Sequence, residues 1–212
     1  DKKIELQLKK IEVLKLYKLY TSQKVLINTN NFDNCKLANI LYPGNKISVN
    51  DTSKYEKITI KLNFKGLEKS NVKREMCDTR PFYIRDENEI IIGKQNYFNG
   101  SIAKVSKEFS GCICSNAIMS FKVIDDVNVN YVLYYLSQKK YIKQRAFLAN
   151  GTGQKELSEK DFLNFEILIP NRDRQDQIAN FCNLFIKKIE IEENKLCKLN
   201  ELKKGFMQNM FV

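Results

Sequence analysis

The sequence contains no histidine and no tryptophan, and it has no run of 18 or more apolar residues. Without histidine, Ser-His and Cys-His catalysis and histidine-ligated metal sites are excluded. Without a long apolar run, no segment predicts a transmembrane helix, and the first residues lack the pattern of a signal peptide. We therefore expect a soluble, cytoplasmic protein that does not enter a membrane.

Only eight glycines occur, and none lies where phosphate-binding chemistry requires one. Gly93-Lys94 has no glycine five residues before Gly93, so a P-loop is excluded. No glycine-rich loop follows a predicted strand, which excludes the usual site for a dinucleotide or a methyl donor. The Asn-Pro-Pro-aromatic stretch that is typical of amino-methyltransferases is also absent. The sequence thus predicts a binding protein without a cofactor, whose chemistry, if any, belongs to its partners.

The six cysteines do not form a CxxC motif. Cys112 and Cys114 are one residue apart on a predicted strand and therefore point to the same side. With no histidine and no second cysteine pair nearby, this spacing does not predict a zinc site. We expect all six cysteines to be reduced thiols, and we predict no metal site.

The net charge of +11 is unevenly distributed along the chain. Residues 31–150 contain 19 basic and 12 acidic side chains, whereas residues 151–212 contain ten of each. This division is expected if a basic domain contacts phosphates while a neutral segment binds protein. Lysines that only solvate the surface are the simpler alternative, and charge alone leaves both open.

The two ends of the chain resemble each other. Lys2–Leu26 aligns without gaps with Lys187–Phe211, and eight of the 25 aligned pairs are identical, including the tetrapeptide Lys-Lys-Ile-Glu. We interpret the match as an internal duplication. The repeated unit is then a helix, a globular domain and a helix, which suggests one copy of a tandem architecture. Because residue 1 lies inside a predicted helix and is not methionine, we expect a truncated or processed chain.

Both repeated ends predict long helices with an apolar stripe, which Glu192 interrupts in the C-terminal copy. A helix of about 38 residues is a rod of roughly 57 Å, longer than the core of a small domain needs. One helix runs toward the domain and the other away, so we predict an antiparallel coiled coil that acts as a spacer or docking surface. A helix pair inside one common core is the alternative. The predicted packing residues are Ile4, Leu8, Ile11, Leu14, Ile178, Cys182, Phe185, Ile189, Leu196 and Leu199.

Between the helices, short alternating segments with turn signals predict a β-rich domain. Tyr55–Phe64 predicts a strand with a basic polar face, Lys65–Arg80 a long functional loop, and Gln95–Gly100 a hairpin turn. Asn130–Phe147 has helical spacing, and we interpret its tyrosines as core residues. The predicted fold class is α+β, a mixed β-rich domain with small helices, flanked by two long helices that form an antiparallel coiled coil. The predicted domain limits are 1–27 for the first helix, 28–170 for the domain and 171–212 for the last helix.

Five segments carry recognisable motifs. They are NGTGQKELSEKDF at 150–162, FEILIP at 165–170, Gln175 with Ile178, LNELKKGFMQNMF at 199–211, and KIELQLKKIEVLK at 3–15. The first four resemble the target-recognition module of type I restriction-modification specificity (S) subunits, and the last resembles the helix between the two modules of such subunits. In layout, the resemblance covers the whole chain. One departure is Arg174, where the family usually has an acidic residue, and it puts in doubt a local contact at the start of the helix.

The resemblance implies a non-catalytic subunit that reads one half of a bipartite site in double-stranded DNA. It also implies that the paired helices set the distance between the half-sites and dock adenine-methyltransferase (modification) subunits, with a motor-nuclease (restriction) subunit joining for restriction. Members of this family usually contain two modules. The chain would therefore be a half-subunit that forms a homodimer, or the second half of a longer S subunit.

Candidate DNA contacts lie on the polar strand face, in the long loop and at the hairpin. Lysines suit phosphates, Arg74 and Arg80 suit guanine, and Gln95 and Asn96 suit adenine. An ordinary solvated side chain is the alternative for each, and we expect Gly151–Lys155 to be a structural joint. The predicted contacts are Lys57, Thr59, Lys61, Lys73, Arg74, Arg80, Lys94, Gln95, Asn96, Tyr97 and Asn99.

Two other functions stay open on the sequence alone. In the first, the chain is the DNA-reading module of a single-chain restriction-methyltransferase, and a longer reading frame would decide. In the second, it is a coiled-coil adaptor whose basic domain binds RNA or an acidic protein. Failure to retain duplex DNA at moderate salt would favour the adaptor.

Overall fold

The computed structural model describes residues 1–27, 32–70, 80–146 and 156–210. The chain divides into a helix-pair unit, Asp1–Asn30 with Asp176–Val212, and a β-rich unit, Asn31–Gln175. The described helices are α1 (Lys2–Ile27), α2 (Val129–Leu136), α3 (Lys139–Arg145), α4 (Glu159–Leu163) and α5 (Arg172–Met210). The described strands are β1 (Asp33–Lys36), β2 (Leu41–Pro43), β3 (Ser48–Val49), β4 (Ile58–Ile60), β5 (Leu67–Lys69), β6 (Phe82–Ile84), β7 (Ile90–Gly93), β8 (Ile102–Lys104), β9 (Ile113–Ser115), β10 (Ile118–Val123) and β11 (Glu166–Ile169). None of the helices in these ranges is both long and apolar enough to cross a membrane.

In the helix-pair unit, α1 and α5 pack antiparallel. The Tyr17 ring lies 5.5 Å from the Phe185 ring, and Gln7 bonds to Glu192 farther along α5. The less exposed side chains of α1 recur every three or four residues, which is the spacing of a coiled-coil seam. They are Ile4, Gln7, Ile11, Leu14 and Lys18.

This seam corrects one predicted packing residue. Leu8 is 50% exposed, and Gln7 takes the seam position instead, because a spacing of three residues follows Ile4 here rather than four. On α5, the predicted packing residues are buried or half-buried, and the buried carboxylate of Glu192 lies among them. The amide of Gln7 donates to a carboxylate oxygen and to the backbone oxygen of Glu192, both at 2.8 Å. Gln7 is therefore one of the polar partners that the buried carboxylate requires, together with Lys10 and Lys195.

The β-rich unit contains four antiparallel sheets in its described part. The largest has the strand order β2-β10-β7-β8, and a three-stranded sheet has the order β3-β6-β9. The other two sheets are the strand pairs β1 with β11 and β4 with β5. β7 is the centre of the core, because its three isoleucines, Ile90, Ile91 and Ile92, are fully buried on both faces of the sheet.

Different residues cover the two faces of that sheet. Ile91 packs in a cluster with Ile58, Ile60, Val105 and the buried thiols of Cys112 and Cys114. A second cluster is aromatic and joins Tyr97, Phe121, Phe162 and Phe165, with ring centroids 5.3–6.3 Å apart. Because Phe162 lies on α4 and Phe165 precedes β11, the small helix and the last strand are held on the core by aromatic packing.

A buried charge network connects the ends of these strands. The Arg85 guanidinium donates to the Cys114 sulfur at 2.9 Å and lies 3.7 Å from the buried Glu89 carboxylate. Glu89 also accepts from Ser120 Oγ and from the backbone nitrogen of Asn45, both at 2.6 Å. Burial raises the pKa of the Cys114 thiol, although the Arg85 charge acts in the opposite direction. Every polar atom of the Glu89 side chain thus has a partner, as a buried carboxylate requires.

The structure corrects three predicted elements. The strand predicted over Tyr55–Phe64 is only β4, because Asn63 and Phe64 have left-handed backbones that a strand does not admit. Part of the loop predicted over Lys65–Arg80 is the strand β5, paired with β4, and residues 71–79 lie outside the described ranges. The helix predicted over Asn130–Phe147 is two helices, because Ser137 and Gln138 leave helical geometry between α2 and α3.

Candidate nucleic-acid interface

Two turns meet at one end of the β-rich unit. The turn between β4 and β5 is closed by a bond from the Lys61 nitrogen to the Gly66 oxygen at 2.9 Å. Asn63 and Phe64 within it both have φ of 59°, a conformation that non-glycine residues rarely adopt. Asn is among the residues that tolerate it best, whereas Phe is not.

The second turn, between β7 and β8, receives the first. The backbone nitrogens of Asn63 and Phe64 donate to the oxygens of Asn99 and Gly100, both at 2.9 Å. Gly100 has φ of 78°, and a Cβ on it would lie 3.0 Å from the Phe64 nitrogen. Glycine is therefore required by both its backbone conformation and the close approach of the first turn. We call residues 61–66 and 94–100 together the composite tip.

The composite tip presents amide and cationic side chains to solvent. The exposed residues are Leu62, Asn63, Lys65, Gln95, Asn96 and Asn99. Asn99 Nδ2 donates to Asn96 Oδ1 at 3.1 Å, which orients both amides. Amides that carry a donor and an acceptor side by side are suited to the edge of an adenine.

A second cationic surface lies on α3. Lys139, Lys140 and Lys143 are exposed, and none forms an ion pair with another described residue. The helix is held in place from its other side, where Tyr141 and Ile142 are buried and the Tyr141 hydroxyl donates to the Glu166 backbone oxygen at 2.8 Å. Exposed lysines on an anchored helix are suited to contact phosphates.

Arg145 is the last residue of α3, and its guanidinium is held in place by two contacts. Its central carbon lies 3.6 Å from the Tyr141 ring centroid, and NH2 donates to the Glu166 backbone oxygen at 3.1 Å. Stacking on an aromatic ring and bonding to a carbonyl restrict its rotamers. Desolvation raises the pKa of Tyr141, while the Arg145 charge acts to lower it.

Buried Tyr97 links the composite tip to α3. Its hydroxyl donates to the Leu136 backbone oxygen at 3.1 Å, and Leu136 precedes the first lysine of α3 by three residues. The β-rich unit therefore presents two polar surfaces, the lysines of α3 and the amides of the composite tip. Cations that contact phosphates and amides that contact base edges are the groups by which proteins position themselves on duplex DNA and read its bases.

This arrangement agrees with the comparison to known protein families. Residues 35–201 match the type I restriction modification DNA specificity domain. The chain belongs to this family. As a member, it is a specificity domain and not an enzyme, and the predicted family and α+β fold class are confirmed.

Known proteins similar to this specificity domain are longer than it. It is 27% identical over 125 residues to the type I restriction enzyme MjaVIII specificity subunit of Methanocaldococcus jannaschii, a match that covers 58% of this chain and 25% of that subunit. The S subunit of the type I restriction-modification system from M. genitalium aligns with a TM-score of 0.64 and 13% identity, over 97% of this chain and 56% of the other. The HsdS subunit of Thermoanaerobacter tengcongensis aligns with a TM-score of 0.58 and 12% identity, over 85% of this chain and 48% of the other. At these identities, the two structures show a shared fold, of which this chain spans about half.

The predicted DNA contacts of the specificity domain are distributed over several places. Lys94, Gln95, Asn96, Asn99 and Lys61 all lie in the composite tip. Lys61 is paired there with Glu68 at 2.9 Å. The structure thus brings together the hairpin residues and the end of the predicted strand face, and they stay predicted contacts.

The rest of the strand face is less open than its sequence suggested. Lys57 Nζ lies 4.8 Å from the Phe82 ring centroid, and Thr59 pairs across the sheet with Glu68. Both side chains are half-buried. Arg80 is exposed just before β6, while Lys73, Arg74 and the Gly151–Lys155 turn lie outside the described residues.

The prediction that Tyr97 contacts DNA is wrong, because its side chain is fully buried. The ring packs against Phe162 and Phe98, and burial raises the pKa of the hydroxyl well above its ordinary value. The hairpin signal placed it correctly in a turn, but the side chain anchors that turn from below. Among the tyrosines of residues 130–147 that we predicted to be core residues, Tyr131 and Tyr141 are buried.

The contacts predicted from the sequence do not include Asn63, Lys65 or the three lysines of α3, all of which are exposed in the structure. An alternating pattern predicted a strand through Asn63, while Lys65 was the first residue of the predicted functional loop but was not among its predicted contacts. The lysines could have been found from their spacing, because Lys139, Lys140 and Lys143 lie on one face of a helical turn while Tyr141 and Ile142 lie on the other.

Proposed function

We propose that the β-rich unit of this specificity domain binds double-stranded DNA sequence-specifically, with the composite tip at the bases and the lysines of α3 at the phosphates. The observation that carries this proposal is the docking of two turns into one amide-rich surface, in a unit that also presents three exposed lysines on α3. The net charge of +7 over residues 31–150 supports it, since phosphate contacts dominate the affinity of such proteins.

We further propose that the chain supplies one of two recognition units that together bind a bipartite DNA site. The duplicated helices and the roughly twofold greater length of the solved S subunits support this division. The second half would be a second copy of this chain or another module of a longer S subunit. The helix-pair unit would hold two recognition units at a defined separation, so that a bipartite site with fixed spacing is read.

Methylation and cleavage would belong to partners. We propose that adenine-methyltransferase (modification) subunits dock on the helix pair and that a motor-nuclease (restriction) subunit joins them. The exposed apolar side chains of the helix pair, among them Leu16, Leu184 and Ile191, support a protein-binding role for this unit.

Selection from a random duplex library at about 0.1 M salt, followed by sequencing of the retained DNA, tests the proposal. The full chain should enrich a short sequence, and a dimer should enrich two half-sites at one spacing. The mass of the chain in solution, measured with and without DNA, identifies the oligomer. Retention without sequence enrichment would reduce the chain to a generic basic domain, and preference for RNA would support the adaptor function instead.

A further inference from the structure

The composite tip contains backbone strain that its own turn does not explain. Among the described residues, only Asn63, Phe64 and Asn88 combine positive φ with a side chain. Two of them are adjacent, and one is a bulky Phe, for which this conformation is a genuine outlier. Such conformations persist where surrounding contacts hold them, and they are concentrated at functional sites.

The contacts that hold this strain are bonds to the second turn. If Asn63 and Phe64 had extended backbones, their nitrogens would not point to the Asn99 and Gly100 oxygens, which they reach at 2.9 Å. The left-handed pair therefore serves to dock one turn on the other. Docking also fixes the backbone that carries the Asn63 side chain, which is exposed on the same tip as the Asn96–Asn99 amide pair.

Resting on the proposed function, we propose that Asn63 is a specificity-determining residue that reads an adenine in the major groove. An Asn amide can bond to N7 and N6 of adenine at once, which no other base edge allows in the same way. Leu62 is 44% exposed next to it and is suited to contact the methyl group of thymine. Lys65 and Lys94 in the same two turns would contact the flanking phosphates.

Rigidity is the reason that this residue can discriminate between bases. An amide on a mobile turn would adapt to several base edges, whereas one held by two backbone bonds presents its donor and acceptor in one orientation. The backbone bond from Asn63 to Asn99 places their side chains on adjoining backbone segments. Adjacent base pairs are separated by roughly 3.4 Å, so neighbouring amides are suited to neighbouring bases.

The test uses Asn63→Gly and Asn63→Asp in the full chain. Glycine adopts positive φ without strain, so it removes the side chain and keeps the turn. The matched control is Asn88→Gly, because Asn88 is also an exposed asparagine with φ of 67°, placed in another loop of the same unit. Thermal unfolding of each variant checks that the folded state is retained.

In random-duplex selection, Asn63→Gly should reduce the preference for adenine over the other bases about tenfold at one position of the enriched sequence. Asn63→Asp should shift that position from adenine toward cytosine, because a carboxylate accepts from the cytosine amino group. Asn88→Gly should leave every position unchanged. Unchanged base frequencies in both Asn63 variants overturn the inference, while absence of enrichment by the unsubstituted chain overturns the proposed function itself.

Discussion

Gln7 and Glu192 occupy equivalent positions of the internal repeat, 185 residues apart, and they bond to each other across the helix pair. In an antiparallel pair of equivalent helices, equivalent residues meet only at the local twofold axis. The axis of this pair therefore passes between Gln7 and Glu192. A polar contact within a largely apolar seam favours one register, because slipping the helices would take Gln7 and Lys10 away from the buried carboxylate.

Acidification should weaken the helix pair through Glu192. The bond from Gln7, followed by those from Lys10 and Lys195, lowers the pKa of this carboxyl to about 2. Because the folded pKa lies below the unfolded value of about 4.5, the stabilisation is complete above pH 4.5 and is lost as the pH falls through 2. We expect the melting temperature of the chain to decrease over this range and Glu192→Gln to flatten the decrease.

Glu190→Gln is the matched control, since it removes an exposed carboxylate from the same helix. Circular dichroism at 222 nm, recorded against temperature at several pH values, is the measurement, because both long helices dominate this signal. Equal pH dependence in the two variants would show that Glu192 does not carry the effect.

Removing Glu89 should strongly destabilise the β-rich unit. Its carboxylate is fully buried and accepts from Ser120 and Asn45, with Arg85 beside it. Glu89→Ala would leave the buried guanidinium without its countercharge, and we expect a loss of about 3–5 kcal/mol in the free energy of unfolding. Urea unfolding followed by near-ultraviolet circular dichroism, which reports the buried tyrosines, measures the change. Exposed Glu87→Ala should change it by about 0.5 kcal/mol or less, and similar losses in both would contradict the assigned role.

Gly100→Ala should destabilise the composite tip more than Gly111→Ala destabilises its own loop. Both glycines have positive φ, but only at Gly100 would a Cβ meet backbone atoms, 3.0–3.1 Å away. We expect a loss of about 1 kcal/mol at Gly111 from backbone conformation and about 2–3 kcal/mol at Gly100, where the two turns would separate. Urea unfolding compares the two losses. Only Gly100→Ala should also reduce sequence selectivity, so equal selectivity in the two variants would argue against a role for the docked turns.

Neutralising the α3 lysines should weaken DNA binding without changing the sequence that is preferred. In the triple variant Lys139→Gln, Lys140→Gln, Lys143→Gln, the slope of log affinity against log salt should decrease by about 0.9 for each phosphate that is no longer neutralised. The control replaces Lys187, Lys188 and Lys198 on α5, which are also exposed. Fluorescence anisotropy with a labelled duplex at roughly 50 to 200 mM salt measures both. An unchanged slope in the α3 variant would exclude these lysines from the interface.

Helix positions were predicted well because helical periodicity is a local property. Lys2–Ile27 and Arg172–Met210 are helices as expected, and Ser158 caps α4 by accepting from the Asp161 nitrogen at 3.0 Å. Leu8 was wrongly placed in the seam, because spacings of three and four are equally helical. The choice between them depends on which face the partner helix covers.

The strands were harder to predict, because each depends on a partner elsewhere in the chain. The alternating pattern from Tyr55 to Phe64 is a good strand signal, yet the strand ends at Ile60. Asn63 and Phe64 turn instead, because the carbonyls of Asn99 and Gly100 are available to their nitrogens. No property of residues 55–64 reveals those carbonyls.

By itself, the sequence determined the similarity of its two ends, the two long helices, the β-rich middle, the basic charge of that middle and the family, because all of these are patterns of residue type along the chain. The tertiary structure alone decided which polar groups meet. It paired Gln7 with Glu192, buried Tyr97 beneath a turn that looked exposed, and joined two distant turns into one surface. These contacts depend on atoms that are far apart in sequence, and the free energy that selects them comes from satisfying buried polar groups and close packing in three dimensions.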